Sequence, residues 1–277
     1  MFDASSRSEP ALQRAAGELA VGWRVRDGVT VLDRLRQAGC LKARFPRDGV
    51  DGWAGIVTMN LSGGIAGGDR LDSRFVIGKG ARASIAGQAA ERLYRALPAN
   101  PPARVRTRIE IAAGAAAEWL AQESILFDRC AMDRRLDVDL AADAHFLGVE
   151  MLVFGRAAMG ETVRHAVLRD VIAVRREGRP VLREAIRLDG AADEMLHRPA
   201  IAAGARAVAT LVHVAPDAEA RLDAVRAALQ AADAGASAWD GLLVARILAP
   251  DGAALRRIVV ATLAALRDRP LPRVWLC

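Results

Sequence analysis

The stretch ARVRTRIEIA, residues 103–112, alternates apolar and charged side chains with a period of two. Its valine, threonine and isoleucines fall on one side of an extended chain, and its arginines and glutamate fall on the other. RRLDVDLAAD, residues 134–143, repeats the pattern. Because successive side chains of a β-strand point to opposite faces, both stretches are typical of strands with one buried and one wet face.

Similar short stretches occur throughout the first two thirds of the chain. Those with the clearest strand composition are residues 54–62, 70–78, 145–155 and 179–188. Several of them are bounded by Gly or Pro, and few helical patterns lie between them. We therefore predict a mostly antiparallel β architecture through about residue 190.

The last third of the chain has a different pattern. Residues 210–215 and 241–249 have the composition of strands, whereas residues 216–233 and 250–268 place apolar side chains at helical spacing. Pro270 follows the second of these helical segments. This order predicts a β-α-β-α tail whose helices pack on one face of the β body.

No linker rich in Gly, Ser or Pro divides the chain, and no repeat of fixed length is visible. We predict a loose N-terminal arm over residues 1–17 and a single domain over residues 18–277. Its β-rich body extends to about 190–205, and the tail covers 206–277. The predicted fold class is mainly β (α+β), with short antiparallel or mixed sheets and about two helices in the C-terminal third.

The number and distribution of charged residues indicate whether the chain binds nucleic acid. The net charge is +6, but nearly all basic residues are arginines that are spread along the chain among acidic residues. No clustered basic stripe with interleaved aromatic residues is visible, so we expect no nucleic-acid partner. A basic nucleic-acid-binding protein remains an alternative.

The spacing of the cysteines and the distribution of apolar residues indicate the cellular compartment. The three cysteines are far apart and form no CxxC pair, a sparse usage that is typical of a reducing cytosol. The first ten residues have no basic segment followed by an apolar one, and no run of about 18 apolar residues occurs. We therefore expect a cytoplasmic protein that does not use a membrane.

The glycine-rich stretch MNLSGGIAGGDRL, residues 59–71, has the G-x-x-x-x-G spacing of a phosphate-binding loop. Asp69 and Arg70, however, stand where such a loop needs Lys and Ser or Thr. The stretch also lies between two predicted strands, so no helix N-terminus is offered to an anion. We interpret it as a tight reversal or as an interface element where another backbone approaches closely. The residues of this interpretation are Gly63, Gly64, Gly67, Gly68 and Asp69.

The usual catalytic patterns are missing from the sequence. It contains no G-x-S-x-G and no H-E-x-x-H, and its four histidines are isolated from one another. Many acidic residues lie near small or apolar residues, so paired carboxylates could be buried together. An uncharacterised β-rich hydrolase that uses such a pair therefore stays open as an alternative.

Five segments occur in order along residues 18–277: NLSGGIAGGDRL (60–71), QAAERLYRA (88–96), WLAQESILFDRCAMDRRLDVDL (119–140), LVFGRAAMGE (152–161) and PLPRVWLC (270–277). Together they resemble the UreD (UreH) family of urease accessory proteins. The resemblance implies a β-helix-like stack of sheets with a couple of helices. It also implies a non-enzymatic scaffold that helps deliver nickel to urease. The implied partners are the urease apoprotein, a helical accessory subunit of the UreF type and a nickel-delivering GTPase of the UreG type.

The resemblance further implies that nickel is in transit rather than tightly bound as a cofactor. Nickel binds imidazole, thiolate and carboxylate donors, and the sequence offers scattered acids rather than a cluster of His or Cys. On the family-like segments we name Glu123, Asp128, Glu150 and Glu161 as candidates for a polar nickel path. The competing interpretation is that these acids only pair with neighbouring arginines such as Arg129 and Arg156.

Overall fold

The structure is a computed structural model that describes residues 13–46 and 52–276. In chain order the strands are β1 (Ala16–Arg26), β2 (Val29–Gly39), β3 (Leu41–Arg44), β4 (Ala54–Asn60), β5 (Arg70–Ile77), β6 (Arg82–Gly87), β7 (Glu91–Leu93), β8 (Ala103–Ile111), β9 (Ala116–Leu120), β10 (Ser124–Leu126), β11 (Cys130–Leu140), β12 (His145–Phe154), β13 (His165–Arg176), β14 (Arg179–Ala191), β15 (Ala207–Val214), β16 (Asp233–Trp239) and β17 (Leu242–Ala249). The helices are α1 (Ala192–Leu196), α2 (Leu222–Leu229) and α3 (Gly252–Leu266). The prediction of a mainly β fold is confirmed.

The strands form two sheets. Sheet A has seven strands in the order β14-β13-β11-β8-β5-β1-β2. Sheet B has ten, with the path β16-β17-β15-β12-β9-β6-β4-β3 and with β7 and β10 attached beside β12. From β4 to β13 the main strands alternate between the two sheets, so the chain winds as a coil with one strand of each turn in sheet A and one in sheet B.

This coiling corrects the prediction of mostly antiparallel pairing. Strands β5, β8, β11 and β13 pair in parallel in sheet A, as do β4, β6, β9 and β12 in sheet B. Antiparallel pairs are found at hairpins such as β1–β2 and β13–β14, and at the β15–β17 end of sheet B. A strand with one wet face looks the same in either kind of sheet, so the alternation could not reveal its partners.

The main core fills the space between the sheets. Phe75 on β5 stacks on Trp23 and lies 5.8 Å, between ring centroids, from Trp119 on β9 of the opposite sheet. A second core lies on the outer face of sheet B, where α3 packs on β15 and β17 and α2 packs on α3 and β16, through residues such as Val225 and Val259. The outer face of sheet A has no such cover in the part of the chain that the structure describes.

The C-terminal third differs from the predicted β-α-β-α order in two places. The helix predicted over 216–233 is limited to a 3₁₀ turn at Glu219–Arg221 and to α2, and the next residues form β16. The strand β16 was not predicted, although its sequence DAGASAW alternates and pairs with β17. The helix α1 was not predicted. The second predicted helix is present as α3, and the Asp251 carboxylate accepts the backbone N–H of Ala254 at its start.

The predicted arm and membrane features are described only in part. Of residues 1–17, the first twelve lie outside the described residues, and β1 begins at Ala16. No helix in the described ranges has the length and apolar character that a membrane crossing requires.

Candidate functional site

A cavity of about 330 Å³ lies between the two sheets. Its walls come from the inward side chains of β1, β5, β8 and β11 on one side and of β4, β9 and β12 on the other. Gly63 and Gln88 on its lining are exposed, whereas Met132 and Arg134 are buried. The cavity therefore opens to solvent at the loops after β4 and β6 and ends in the interior.

The glycine-rich stretch forms the connection from β4 to β5 at this opening. Gly64 has φ +146°, and a Cβ there would lie 2.4 Å from the Tyr94 ring and 2.8 Å from the Arg92 carbonyl oxygen. The Tyr94 hydroxyl donates a hydrogen bond of 2.9 Å to the carbonyl of Gly63. A side chain at position 64 would thus push the two loops apart, and this close approach of two backbones requires glycine.

Two other members of the stretch are also held by close contacts. A Cβ on Gly67 would lie 2.7 Å from the Cβ of Ala96, so this backbone too is pressed against a neighbouring segment. Gly68 has φ +91°, which L side chains rarely adopt. These contacts belong to the interior of the chain, so the role of the glycines at an interface with another protein stays a prediction.

Asp69 is buried and acts as a connector. Its carboxylate accepts the backbone N–H of Ala15 and that of Ala66, each at 2.8 Å. These bonds join the start of β1 to the glycine-rich connection. The acid that excludes a phosphate loop in the sequence therefore fixes the shape of the cavity opening.

Arg134 lies at the buried end of the cavity and binds acids from both sheets. Its guanidinium makes two hydrogen bonds to Asp170 on β13, of 2.8 and 2.6 Å, and its Nη1 lies 2.7 Å from Oε2 of Glu150 on β12. Nη1 also donates to the Ser124 hydroxyl at 3.0 Å. The indole of Trp119 donates to Oε1 of Glu150 at 2.8 Å. We call Arg134, Glu150 and Asp170 the buried triad.

Burial and charge act in opposite directions on the triad. Burial raises the pKa of Glu150, and the Asp170 carboxylate adds to this, so that the pKa stays above its ordinary value although Arg134 lowers it. Burial alone would lower the pKa of Arg134, but the Asp170 and Glu150 carboxylates raise it above its usual range. With both carboxylates ionised the triad carries one net negative charge, which favours a cation in the cavity.

The polar interior continues beyond the triad. A void of about 10 Å³ is lined by four polar residues, Glu150, Asp170, Glu184 and Thr210, and by four aliphatic ones, Leu152, Ile172, Ile186 and Val208. Glu184 is buried and pairs with Arg246, whose side chain is exposed. Polar groups therefore extend from the opening near Gly63, past the triad, to the opposite edge of the two sheets.

At the opening, Glu91 is a further carboxylate on the cavity lining. Burial raises the pKa of Glu91, although the Asn60 amide donates to its Oε2 at 3.2 Å and lowers it. The cavity thus has a carboxylate close to each of its ends, Glu91 near solvent and Glu150 in the interior.

The structure brings one of the four predicted path acids, Glu150, to this cavity. Glu123 lies on the helix side of sheet B, where its Oε2 is 3.2 Å from Nη1 of Arg256 on α3. It is not part of the cavity lining.

Asp128 and Glu161 are near each other but also away from the cavity. The Asp128 carboxylate accepts the backbone N–H of His165 at 2.9 Å, and Glu161 pairs with Arg156 at 2.7 Å. Burial raises the pKa of Glu161, but the hydrogen bonds from the Arg156 side chain and from the backbone N–H groups of Asp128 and Arg156, together with the charge of Arg156, outweigh it and the net shift is downward. Oδ2 of Asp128 also lies 3.7 Å from Nε of Arg129, so both acids contact the arginines that the competing interpretation names, and a nickel path through them stays a prediction.

The side chains available as ligands indicate how strongly the cavity could bind a metal ion. Within the described ranges no group of three or more His, Cys, Asp or Glu side chains is placed to hold a metal ion. The cavity instead offers separate carboxylates, a serine hydroxyl and backbone carbonyls. Such a set suits brief, weak contacts with a divalent cation better than storage.

The sequence interpretation missed Arg134, Asp170 and Glu184. A signal was present, because Arg134 occupies an inward position of the alternation that also places Leu136 and Val138 in the core. Asp170 interrupts the apolar positions of β13 in the same way. A charged residue on the buried side of a strand is costly unless it is paired, so it marks a site.

Comparisons with known proteins agree with this structure. A model of the UreD urease accessory protein family matches residues 15–276. The chain is similar to the urease accessory protein UreD of Methylobacterium sp. (strain 4-46), with 46% identity and 97% of each chain covered. It is 45% identical to UreD of Xanthobacter autotrophicus, covering 98% of this chain and 93% of that one. It is 46% identical to UreD of Azorhizobium caulinodans, covering 96% of this chain and 98% of that one. The chain therefore belongs to the UreD family of urease accessory proteins.

Proposed function

We propose that this protein is a non-catalytic scaffold in urease maturation, which binds the urease apoprotein and helps deliver nickel to its active site. Membership of the UreD family supports the role in maturation. The further proposed partners are a helical accessory subunit of the UreF type and a nickel-delivering GTPase of the UreG type. The protein would work in the cytoplasm, where its scattered cysteines stay reduced.

The observation that carries the nickel proposal is the polar interior between the sheets. A cavity of about 330 Å³ opens at the glycine-rich connection and ends at the buried triad, and a small void lined in part by acidic residues follows. Nickel would enter near Glu91, exchange water for carboxylate and carbonyl oxygens, and reach Glu150. The net negative triad would attract the cation, while the lack of converging ligands among the described residues would let it leave.

A non-catalytic role agrees with the state of the paired acids. Glu150 and Asp170 both face Arg134, which occupies the space where two catalytic carboxylates would need a substrate and a water molecule. The hydrolase alternative would require this arginine to move away from both acids.

The test is co-expression of the urease subunits and accessory partners with and without this chain. Urease activity and nickel per active site, measured by mass spectrometry on purified urease, are the readouts. We expect nickel loading to be lost without the chain and restored when it is supplied. Full loading in its absence would overturn the proposed function and return attention to the hydrolase alternative.

A further inference from the structure

A second pocket, of about 140 Å³, lies beside the chain that follows α3. Strand β4 separates it from the main cavity, since Val57 lines the second pocket whereas Thr58, the next residue, lines the main one. Its volume is far larger than the roughly 10–15 Å³ that a single water molecule needs. We call it the tail pocket.

The tail pocket has arginines on a wall that is otherwise largely aliphatic and proline side chains. Arg267, Arg269 and Arg273 line it. Nε and Nη2 of Arg267 donate to the carboxylate of Glu118 on β9 at 2.8 and 3.1 Å, and Nη2 of Arg269 lies 2.5 Å from Oε1 of the same carboxylate. The side chains of Arg267 and Glu118 are buried, and that of Arg269 is only 16% exposed. One carboxylate therefore faces two guanidinium groups where water has little access, which leaves positive charge uncompensated.

The groups around Arg269 show the same imbalance. Burial lowers the pKa of Arg269, although the Glu118 carboxylate raises it. The positive charges of Arg267 and Arg82 lower this pKa further, and the net direction is downward. Arg134 of the buried triad, which faces two carboxylates, has a raised pKa instead. A bound anion would supply the negative charge that the tail pocket lacks.

The hydroxyl of Ser84 is a second and independent sign of a ligand. Ser84 lies on β6, is 8% exposed and lines the tail pocket. Its Oγ has no hydrogen-bond partner among the described residues. A buried polar group without a partner is uncommon and costs stability unless something binds it. A hydroxyl and guanidinium groups on the wall of one pocket are suitable donors for an oxyanion.

The guanidinium of Arg269 has donors left for such a ligand. A guanidinium carries five N–H groups. Within the described ranges, the side chain of Arg269 contacts Glu118 through Nη2, and its Cζ lies 3.3 Å from the centroid of the Trp53 ring. These contacts do not use the hydrogens on Nε and Nη1. The indole also holds the guanidinium in place, so little side-chain freedom is lost when an anion binds.

We propose that the tail pocket binds a small oxyanion of the phosphate type, held by the guanidinium groups of Arg267 and Arg269 and by the Ser84 hydroxyl. The excess of positive charge favours a doubly charged ion over a carboxylate. The bound ion would join the chain after α3 to β6 and would stabilise the folded protein. Because the tail pocket is separate from the main cavity, this inference does not rest on the proposed function.

The test is isothermal titration calorimetry of the full-length chain with sodium phosphate, in a buffer without other oxyanions. Arg269→Gln and Ser84→Ala are compared with the wild type. Arg257→Gln is the control, since Arg257 is exposed on α3 and does not line the tail pocket. Thermal unfolding without phosphate checks that each variant folds. Because the Ser84 hydroxyl has no partner among the described residues, Ser84→Ala should melt no lower than the wild type.

We expect saturable binding of phosphate and a thermal midpoint that rises with phosphate concentration. The dissociation constant should rise at least about tenfold in Arg269→Gln and about threefold in Ser84→Ala. For Arg257→Gln it should stay within about twofold of the wild type.

Three results would overturn the site. The first is a lack of binding to the wild type at up to about 10 mM phosphate. The second is an equal loss in Arg269→Gln and Arg257→Gln, because it would indicate a general attraction to a basic chain. The third is unchanged binding in Ser84→Ala, and this variant alone decides if Arg269→Gln does not fold.

Two further probes identify the chemistry of the ion. Acetate carries a single charge, so acetate binding as tight as that of phosphate would contradict the choice of a doubly charged ion. Adenosine monophosphate carries the same phosphate group on a larger molecule. Tighter binding of this ester than of phosphate, lost in Arg269→Gln, would support a site for phosphate esters, whereas weaker binding would support free phosphate.

Discussion

Arg134 and Asp170 lie directly opposite each other on the parallel strands β11 and β13 and form a bidentate ion pair in the interior. Glu150 reaches the same guanidinium from the facing sheet. The pair therefore joins two strands of one wall, and the third residue joins that wall to the other. The buried triad is at once a cross-link between the sheets and the inner end of the cavity.

Replacing Arg134 by Met should strongly destabilise the protein. The change leaves two buried carboxylates without a cation to neutralise them, which costs about 3–5 kcal/mol. Urea unfolding monitored by circular dichroism measures the free energy of unfolding. Arg135→Ala is the matched control, since Arg135 pairs with Asp137 at the outer face and should contribute about 1 kcal/mol or less. Similar losses in both variants would mean that the triad does not hold the sheets together.

Replacing Glu150 by Gln should reduce nickel loading of urease while leaving the maturation complex assembled. Glutamine keeps the size of the side chain and an oxygen for the Trp119 indole, but it removes the charge that faces the cavity. We expect a loss of severalfold in nickel per urease active site. Glu123→Gln, on the helix side of sheet B, is the control and should retain loading. If the Glu123 variant loses nickel and the Glu150 variant does not, the path does not pass through this cavity.

Replacing Gly64 by Ala should cost much more stability than replacing Gly28 by Ala. Both glycines have positive φ, but a Cβ on Gly28 meets nothing within 4 Å, whereas one on Gly64 meets Tyr94 and the Arg92 carbonyl. We expect about 1 kcal/mol for Gly28→Ala from backbone strain. For Gly64→Ala we expect about 3 kcal/mol or more, because the clash adds to the strain. Equal thermal midpoints for the two variants would contradict the close approach at the cavity opening.

His213 should make stability depend on pH in mildly acidic solution. Burial lowers the pKa of His213 to about 4, and the nearby Asp217 carboxylate only partly opposes this. The unfolded chain binds the proton more readily, so the contribution is present above about pH 6.5 and is lost as pH falls toward 4. Between pH 7 and 5 the loss should be about 2 kcal/mol.

The variant His213→Phe removes the titrating group and should lose less stability than the wild type over this pH range. Urea unfolding of both proteins at pH 7, 6 and 5 gives the comparison. His165 is the control position, because its side chain is exposed and it is not among the charged groups that act on His213, so His165→Gln should keep the wild-type dependence. Parallel curves for wild type and His213→Phe would show that another group controls the acid sensitivity.

The elements of the fold could be predicted well from local patterns. The alternation in residues 103–112 and 134–143 indicated strands with one wet face, and both lie in sheet A with that face outward. The pairing of those strands could not be predicted. Each partner strand belongs to another turn of the coiled chain, and the alternation is the same in parallel and antiparallel sheets. The strand β16 was not predicted, because its short segment at residues 233–239 is stabilised by tertiary pairing with β17.

The site was predicted in part. The glycine-rich stretch was identified, and Glu150 was one of the named acids. Arg134 and Asp170 were not, although their position on the buried side of apolar strands was a signal. Their meeting with Glu150 depends on how the two sheets face each other, which no local pattern contains.

The coiled path of the chain has a consequence for how the cavity comes into being. Arg70 pairs with Arg104, and Arg104 with Asp133, so neighbouring parallel strands are separated by roughly 30 residues of sequence. A strand can pair with its neighbour only after the chain has passed through the opposite sheet and returned. Such long-range pairing makes folding slow. During that interval the inward apolar faces of both walls stay open to water, and the unpaired edges can capture other chains. The yield of protein with an intact cavity should therefore fall as expression is made faster or warmer, even for a sequence whose finished fold is stable.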